Sequence, residues 1–169
     1  MKKSAFYFHV ILLGLFISSC DDYALDLGFN SPSNKVKAPT PGYIPLVFGE
    51  GVVTQRTSWY LTENVNTYLT RFDKRDYPDA RAIIFAPELR SASGENYCYA
   101  DLFNITDSVS ISNSEVQTNA TTWRVVQSSD ILQNLPDKRI DLAIRLKSEG
   151  IGFTVASSSR SHLQIYLPE

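Results

Sequence analysis

The sequence predicts an all-β domain, a jelly-roll-like antiparallel β-sandwich that follows an amino-terminal signal peptide and a flexible tether. Three observations favour this fold class. After Tyr43, apolar residues alternate with polar ones at period two, which is typical of half-buried strands. Turn-forming sequences separate these runs at intervals of roughly 8–12 residues. No stretch has the apolar spacing of an amphipathic helix, and nothing repeats at the period of a solenoid.

The clearest predicted strand covers residues 140–147, where Ile140, Leu142, Ile144 and Leu146 share one face. Residues 82–89 are apolar on both faces, as expected for a central strand of a sandwich. We expect the Trp123 ring to fill the core, because a buried aromatic ring contributes a large apolar area. Further strands are predicted at 43–48, 57–72 with a break at Glu63-Asn64, 97–105, 123–126, 153–156 and 163–167.

The amino terminus predicts export. Lys2 and Lys3 precede an apolar run at 6–17, which is shorter than the roughly 20 residues that a membrane-spanning helix needs. A positive start, a short apolar core and small residues before a cleavage site are typical of a secretory signal. Residues 1–19 are therefore interpreted as a signal peptide.

The residues at the end of this segment, Ile17-Ser18-Ser19-Cys20, resemble the lipobox of bacterial lipoproteins. The resemblance implies cleavage before Cys20, a diacylglycerol thioether on its sulfur and acylation of its new amino group. Two or three acyl chains would anchor the protein essentially permanently, because each buried methylene contributes about 0.8 kcal/mol. The membrane is thus an expected partner, reached through lipid on Cys20.

Residues 20–42 are predicted to be a lipidated, disordered tether, and residues 43–169 the β-sandwich domain. The tether carries Pro32, Pro39 and Pro41 among small polar residues, and it is too polar to form a core. Asp21-Asp22 resembles the export signal of surface-exposed lipoproteins in Bacteroidota, which implies the outer membrane and surface exposure. Enterobacterial sorting would instead retain such a protein at the inner membrane, and the sequence leaves both open.

Composition excludes several classes of function. The chain has 16 basic and 18 acidic residues, and removal of Lys2 and Lys3 with the signal peptide leaves 14 basic residues and a net charge of −4. This negative charge argues against nucleic acid as a partner. With Cys20 lipidated, Cys98 is the remaining thiol, and His162 is the one histidine outside the signal. We expect His162 to be a solvated strand residue. No cofactor, catalytic residue or metal site is predicted, and the protein is not expected to be an enzyme.

One resemblance covers about residues 80–167. Leu102-Phe103-Asn104-Ile105-Thr106-Asp107, then Ser114-Glu115-Val116, then Leu135-Pro136 before the strand at 139–146, are similar to jelly-roll modules of bacterial cell-surface and phage-tail fibre proteins. This implies a sandwich fold and a display or binding role rather than a reaction. The same residues also have a local explanation, because Asn, Thr and Asp side chains form turns that end strands.

Aromatic side chains are the candidate ligand-binding residues. Trp59, Tyr60, Tyr97 and Tyr99 could stack on sugar rings or contact a polar protein surface, and the alternative is that such rings pack in the core. Asp107-Ser108-Val109 resembles the short O-glycosylation acceptor of Bacteroidota, which makes Ser108 a candidate modification site.

Two alternatives involve carboxylates. The loop at 73–79 holds three aspartates and could bind calcium, although Lys74 and Arg75 would neutralise it. A glycosidase would need two facing acids, for which Glu63, Glu88, Glu95, Asp101 and Asp107 are available. The leading expectation is a lipid-anchored envelope protein that presents the sandwich for binding or structural display, without catalysis. Its partner would be a glycan or another envelope protein. The alternative is a carbohydrate-binding or carbohydrate-active accessory lipoprotein.

Overall fold

The computed structural model describes residues 42–168, and the prediction of an all-β antiparallel domain is confirmed. Signal peptide, Cys20 and almost all of the tether lie outside the described residues. The twelve strands are β1 (Tyr43–Val47), β2 (Val53–Thr54), β3 (Leu69–Phe72), β4 (Ala82–Ala86), β5 (Glu88–Ser91), β6 (Cys98–Asn104), β7 (Val109–Ser110), β8 (Val116–Thr118), β9 (Arg124–Val125), β10 (Ile140–Ser148), β11 (Val155–Ser157) and β12 (His162–Tyr166). Single 3₁₀ turns lie at Val65–Thr67, Lys74–Asp76 and Leu132–Asn134.

The strands form three antiparallel sheets, an arrangement consistent with a β-sandwich. The first has the order β1-β12-β4 and the second β2-β11-β5-β9. Pro87 alone separates β4 from β5, so the first two sheets are joined along one nearly continuous stretch of chain. The third sheet has the order β3-β10-β6-β7, with β8 also paired to β6. The predicted strand at 82–89 is thus real but broken at its proline, which cannot donate to a ladder.

One hydrophobic cluster holds the sheets together. The four apolar residues predicted to share a face of β10 are all buried in it. Phe85, Leu89, Leu102 and Leu163 contribute from other strands, each with no measurable exposure. Burying a side chain of this size contributes about 1.5–3 kcal/mol, so alternation along the strands is the main determinant of the fold.

Two sequence-based expectations about the strands are wrong. Most of residues 57–72 is not strand: only β3 and an isolated bridge at Tyr60 form, separated by a 3₁₀ turn. Trp123 is not in the core, because 38% of it is exposed just before the two-residue edge strand β9. Its ring lies under Arg90, whose guanidinium carbon is 4.6 Å from the ring centroid.

β1 is the outermost strand of its sheet within residues 42–168, and it carries Pro45 at its centre. Tyr43 and Val47 on either side of this proline are exposed. Because proline has no N–H group, this edge strand has one hydrogen-bond donor fewer than its length implies.

Candidate functional site

The outer face of the third sheet brings together side chains from β6 and β10. Their antiparallel register places Tyr99 beside Lys147 and Asp101 beside Arg145. The intervening residues Leu102 and Leu146 are completely buried, so the odd-numbered side chains point away from the core. The sheet therefore presents aromatic and charged residues in adjacent rows.

Trp59 joins this face through a bridge outside the named strands. Tyr60 N–H donates to the Leu146 carbonyl oxygen at 2.8 Å, and Leu146 N–H donates to the Tyr60 carbonyl oxygen at 3.1 Å. This pairing places Trp59 next to Lys147. Tyr60 has the opposite orientation and packs against the core, with the Arg56 guanidinium 4.9 Å from its ring centroid. Trp59 and Tyr60 thus do not belong to one surface.

Rings and cations alternate across the face, and we call this arrangement the aromatic ladder. The Tyr97 and Tyr99 ring centroids are 6.3 Å apart. The Lys147 ammonium lies 4.8 Å from the Tyr99 centroid and 4.3 Å from that of Trp59. The Arg145 guanidinium lies 5.2 Å from Trp59 and 4.3 Å from Phe103. The ladder consists of Tyr97, Tyr99, Lys147, Trp59, Arg145 and Phe103.

Arg145 is fixed in the ladder by a two-pronged ion pair. Its Nε donates to Asp101 Oδ1 at 3.0 Å and its Nη2 to Asp101 Oδ2 at 2.5 Å. Nη2 also donates to the Ser110 hydroxyl. Such forked contacts hold both side chains in one geometry. The pair neutralises Arg145, whereas Lys147 makes no ion pair within residues 42–168.

The ladder has a defined chemistry. Each cation lies over a ring, so the ring faces directed at the cations are already occupied and the rings are held in place. Tyr99 is half-buried among these groups, and desolvation, helped by Glu149 and Glu115, raises the pKa of its phenol. The surface can therefore offer aromatic edges, hydroxyl groups and charged donors at fixed positions. Tyr97, which is 37% exposed, is its most accessible ring.

Three of the acids considered for glycoside hydrolysis are engaged by cations. Asp101 pairs with Arg145, Asp107 with Lys138 at 2.5 Å, and Glu88 with Arg160 at 2.7 Å. Asn104 supports Asp107 by donating to its carboxylate at 2.8 Å, and its own side-chain oxygen accepts the Asp107 N–H at 3.1 Å. The expected side-chain turn at the end of β6 is thereby confirmed.

In the aspartate-rich loop at 73–79, the first carboxylate, that of Asp73, is bound by groups of the same loop. Asp73 caps the 3₁₀ turn by accepting the Arg75 backbone N–H at 3.1 Å, and the Arg75 guanidinium contacts both of its oxygens. The Arg75 guanidinium lowers the pKa of Asp73 from 3.8 to about 2. Within residues 42–168, no three His, Cys, Asp or Glu side chains converge in the manner of metal ligands.

Cys98 and His162 are both packed into the fold. Burial raises the pKa of the Cys98 thiol to about 12, so it is protonated and unreactive near neutral pH. His162 differs from the expected solvated residue, because it is half-buried and Tyr43 stacks on it with 6.0 Å between ring centroids. Its Nδ1 lies 2.8 Å from the Arg160 carbonyl oxygen, and its Nε2 lies 3.1 Å from Gln164 Nε2. Because the Gln164 amide nitrogen can only donate, Nε2 is the acceptor of that contact and Nδ1 is the nitrogen that faces the Arg160 carbonyl oxygen.

The remaining candidate residues lie apart from the ladder or outside the described residues. Ser108 is exposed in the turn between β6 and β7, where its φ of 57° is in the left-handed region. Cys20, the candidate lipidation site, is outside residues 42–168. The structure therefore brings together Trp59, Tyr97 and Tyr99 and leaves Tyr60 and Ser108 elsewhere.

Arg145, Lys147 and Phe103 were not predicted as site residues from the sequence. The signal was present in the alternation of 140–147, which already placed both cations on the face opposite Leu142 and Leu146. Their contact with Trp59 depends on a pairing between segments distant in the chain, and no local pattern specifies it.

Comparison with models of known families, with curated proteins and with solved structures finds no match for this chain. Among residues 42–168, no helix is both long and apolar enough to span a bilayer.

Proposed function

We propose that this chain is an exported, lipid-anchored cell-envelope protein whose sandwich is a non-catalytic binding module. The aromatic ladder is its binding face, and the partner is the surface of another envelope protein. The main support for this proposal is the fixed arrangement of one tryptophan, three other aromatic rings and two cations on one sheet face. Tryptophan, tyrosine and arginine are the residues most enriched where protein surfaces bind each other tightly.

A protein partner fits the ladder better than a glycan does. Stacking on a sugar needs an open ring face, whereas Lys147 and Arg145 already lie over Trp59, and Lys147 also lies over Tyr99. Rings that are held in place lose little conformational entropy on binding, which favours the use of this face as a binding surface. A glycan bound at Tyr97 is the competing outcome of the experiment below.

The engaged side chains support a role without catalysis. The three acids are ion-paired, the Cys98 thiol is buried and protonated, and both ring nitrogens of His162 make hydrogen bonds. A general base or nucleophile needs to be available to a substrate.

Site-specific photo-crosslinking in cells tests the binding face. Gln117 is exposed and pairs with Tyr99 in the β6–β8 register, so a photoreactive residue at this position would reach a partner on the ladder. We expect one discrete protein adduct that disappears when the same chain also carries Trp59→Ala. Trp123→Ala is the matched control, because it removes the other tryptophan, which lies just before β9 and outside the ladder, and it should leave the adduct intact.

Two results would contradict the protein partner. One is an adduct of equal yield with and without Trp59. The other is the absence of any adduct in a protein that binds a glycan array through Tyr97, which would establish the carbohydrate-binding alternative.

The anchor is tested separately by metabolic labelling with a fatty acid. Cys20→Ala should abolish the label and leave the precursor uncleaved or released, because the thioether needs that sulfur. Cys98→Ala is the matched control and should keep the label. Equal labelling of the wild type and Cys20→Ala would refute lipid anchoring.

A further inference from the structure

A shallow recess lies on the outer face of the second sheet, away from the aromatic ladder. Ala156 lies in it beside Arg90 on β5, with which it is paired in register. Ala156 is only 3% exposed, whereas the Arg90 side chain is exposed. The small alanine side chain leaves space next to the arginine, and the recess has a volume of about 290 Å³, with Thr121 and Thr154 also in its lining.

The recess is lined by hydrogen-bond donors. Arg90 is exposed, and its guanidinium is held over the Trp123 ring. Thr154 Oγ1 accepts a hydrogen bond from Gln55 Nε2 at 2.9 Å, which leaves its hydroxyl hydrogen free to donate. Thr121 adds a second hydroxyl to the lining.

No carboxylate in the part of the chain that the structure describes pairs with this set of donors. The lining contains no Asp or Glu. Among residues 42–168, no ion pair includes Arg90. The nearest acid along β5 is Glu88, and its carboxylate is occupied by Arg160 and the Ser158 hydroxyl. The recess is thus a locally positive site in a chain whose overall charge is negative.

We propose that this recess binds the carboxylate of a small ligand about the size of a monosaccharide. Arg90 is the carboxylate-binding residue, since its planar guanidinium offers two parallel N–H groups to the two oxygens. The contact with the Trp123 ring holds the guanidinium in place, and the Arg90 side chain remains exposed to a ligand. Thr154 and Thr121 donate to the ligand's oxygens, and Ala156 provides the space. The carboxylate could be carried by a sugar acid or by the end of a short peptide.

Isothermal titration calorimetry on the full chain in detergent tests this proposal. The probes are glucuronate, glucose as its uncharged counterpart, and alanyl-alanine, which carries a carboxylate on a peptide. We expect binding of glucuronate or alanyl-alanine but not of glucose. Arg90→Gln should weaken that binding by about tenfold or more, because a charge-assisted forked contact is lost. Arg81→Gln should bind as the wild type does, because Arg81 is another exposed arginine that makes no ion pair among residues 42–168.

The two carboxylates distinguish the source of the ligand. Glucuronate binding alone identifies a sugar acid, and alanyl-alanine binding alone identifies a peptide terminus. The proposal is overturned if glucose binds as well as glucuronate, if neither carboxylate binds at millimolar concentration, or if Arg90→Gln leaves the affinity unchanged. The recess and the ladder lie on different sheets, so failure here would not affect the proposed binding face.

Discussion

Removal of the Arg145 guanidinium should cost much of the stability of the domain. Asp101 and Arg145 have side chains only 6% and 16% exposed, so each depends on the other for charge compensation. Arg145→Met keeps a long apolar stem against the rings but leaves the Asp101 carboxylate buried without its cation. Breaking a buried pair costs about 3–5 kcal/mol, and residual access of water to Arg145 places our expectation near about 3 kcal/mol. Domains are stable by only about 5–15 kcal/mol in total.

Urea denaturation of the full chain, followed by circular dichroism, measures this loss. Asp101→Leu combined with Arg145→Met should recover most of it, because two apolar residues leave no uncompensated charge. Lys138→Met is the control: the Lys138–Asp107 pair is 52% and 31% exposed, and its loss should cost less than about 1 kcal/mol. The reasoning is refuted if Arg145→Met costs no more than Lys138→Met, or if the double variant is no more stable than Arg145→Met.

Three further predictions use the same denaturation assay. Trp123→Ala should lower the free energy of unfolding by only about 0.5–1 kcal/mol, the value of an exposed cation–π contact. A decrease of about 3–5 kcal/mol would instead identify Trp123 as a core residue. Asp73→Asn should be less stable than the wild type at neutral pH. Because the folded pKa of Asp73 is lowered from 3.8 to about 2, this difference should shrink as the pH falls from above 4 towards 2, and a constant difference would contradict the Arg75 contact. Ser114→Ala should cost about 1–3 kcal/mol, since Ser114 Oγ is buried and accepts the Leu102 N–H at 2.9 Å; an unchanged urea midpoint would show that this N–H finds another partner.

Local alternation was enough to predict the fold class and the inner face of β10. It failed at Trp123, because this side chain precedes a two-residue edge strand, where it is only partly covered and remains 38% exposed. Large aromatic side chains are often buried, but this is only a statistical preference. Whether a particular ring is buried depends on the position of its strand in the sheet.

The candidate site was predictable only in part. Trp59 and Tyr60 are adjacent, and successive side chains of an extended segment point to opposite faces, so they could not share one surface. Their adjacency in the sequence was thus enough to predict that they lie on different surfaces. The pairing of Tyr60 with Leu146, which brings Trp59 to Lys147, joins segments far apart in the chain and is set by the packing of the whole domain.

Pro45 has a consequence for self-association. The outer edge of β1 would otherwise offer another molecule a row of backbone donors and acceptors flanked by the exposed Tyr43 and Val47. Such apolar edges act as templates for polymerisation, and the missing N–H of a proline interrupts the template. Replacing Pro45 with threonine would restore a continuous edge, and we expect the protein to form concentration-dependent oligomers that bind thioflavin T. Wherever copies of this chain are crowded together, a single imino acid therefore helps to keep neighbouring sheets from fusing into fibrils.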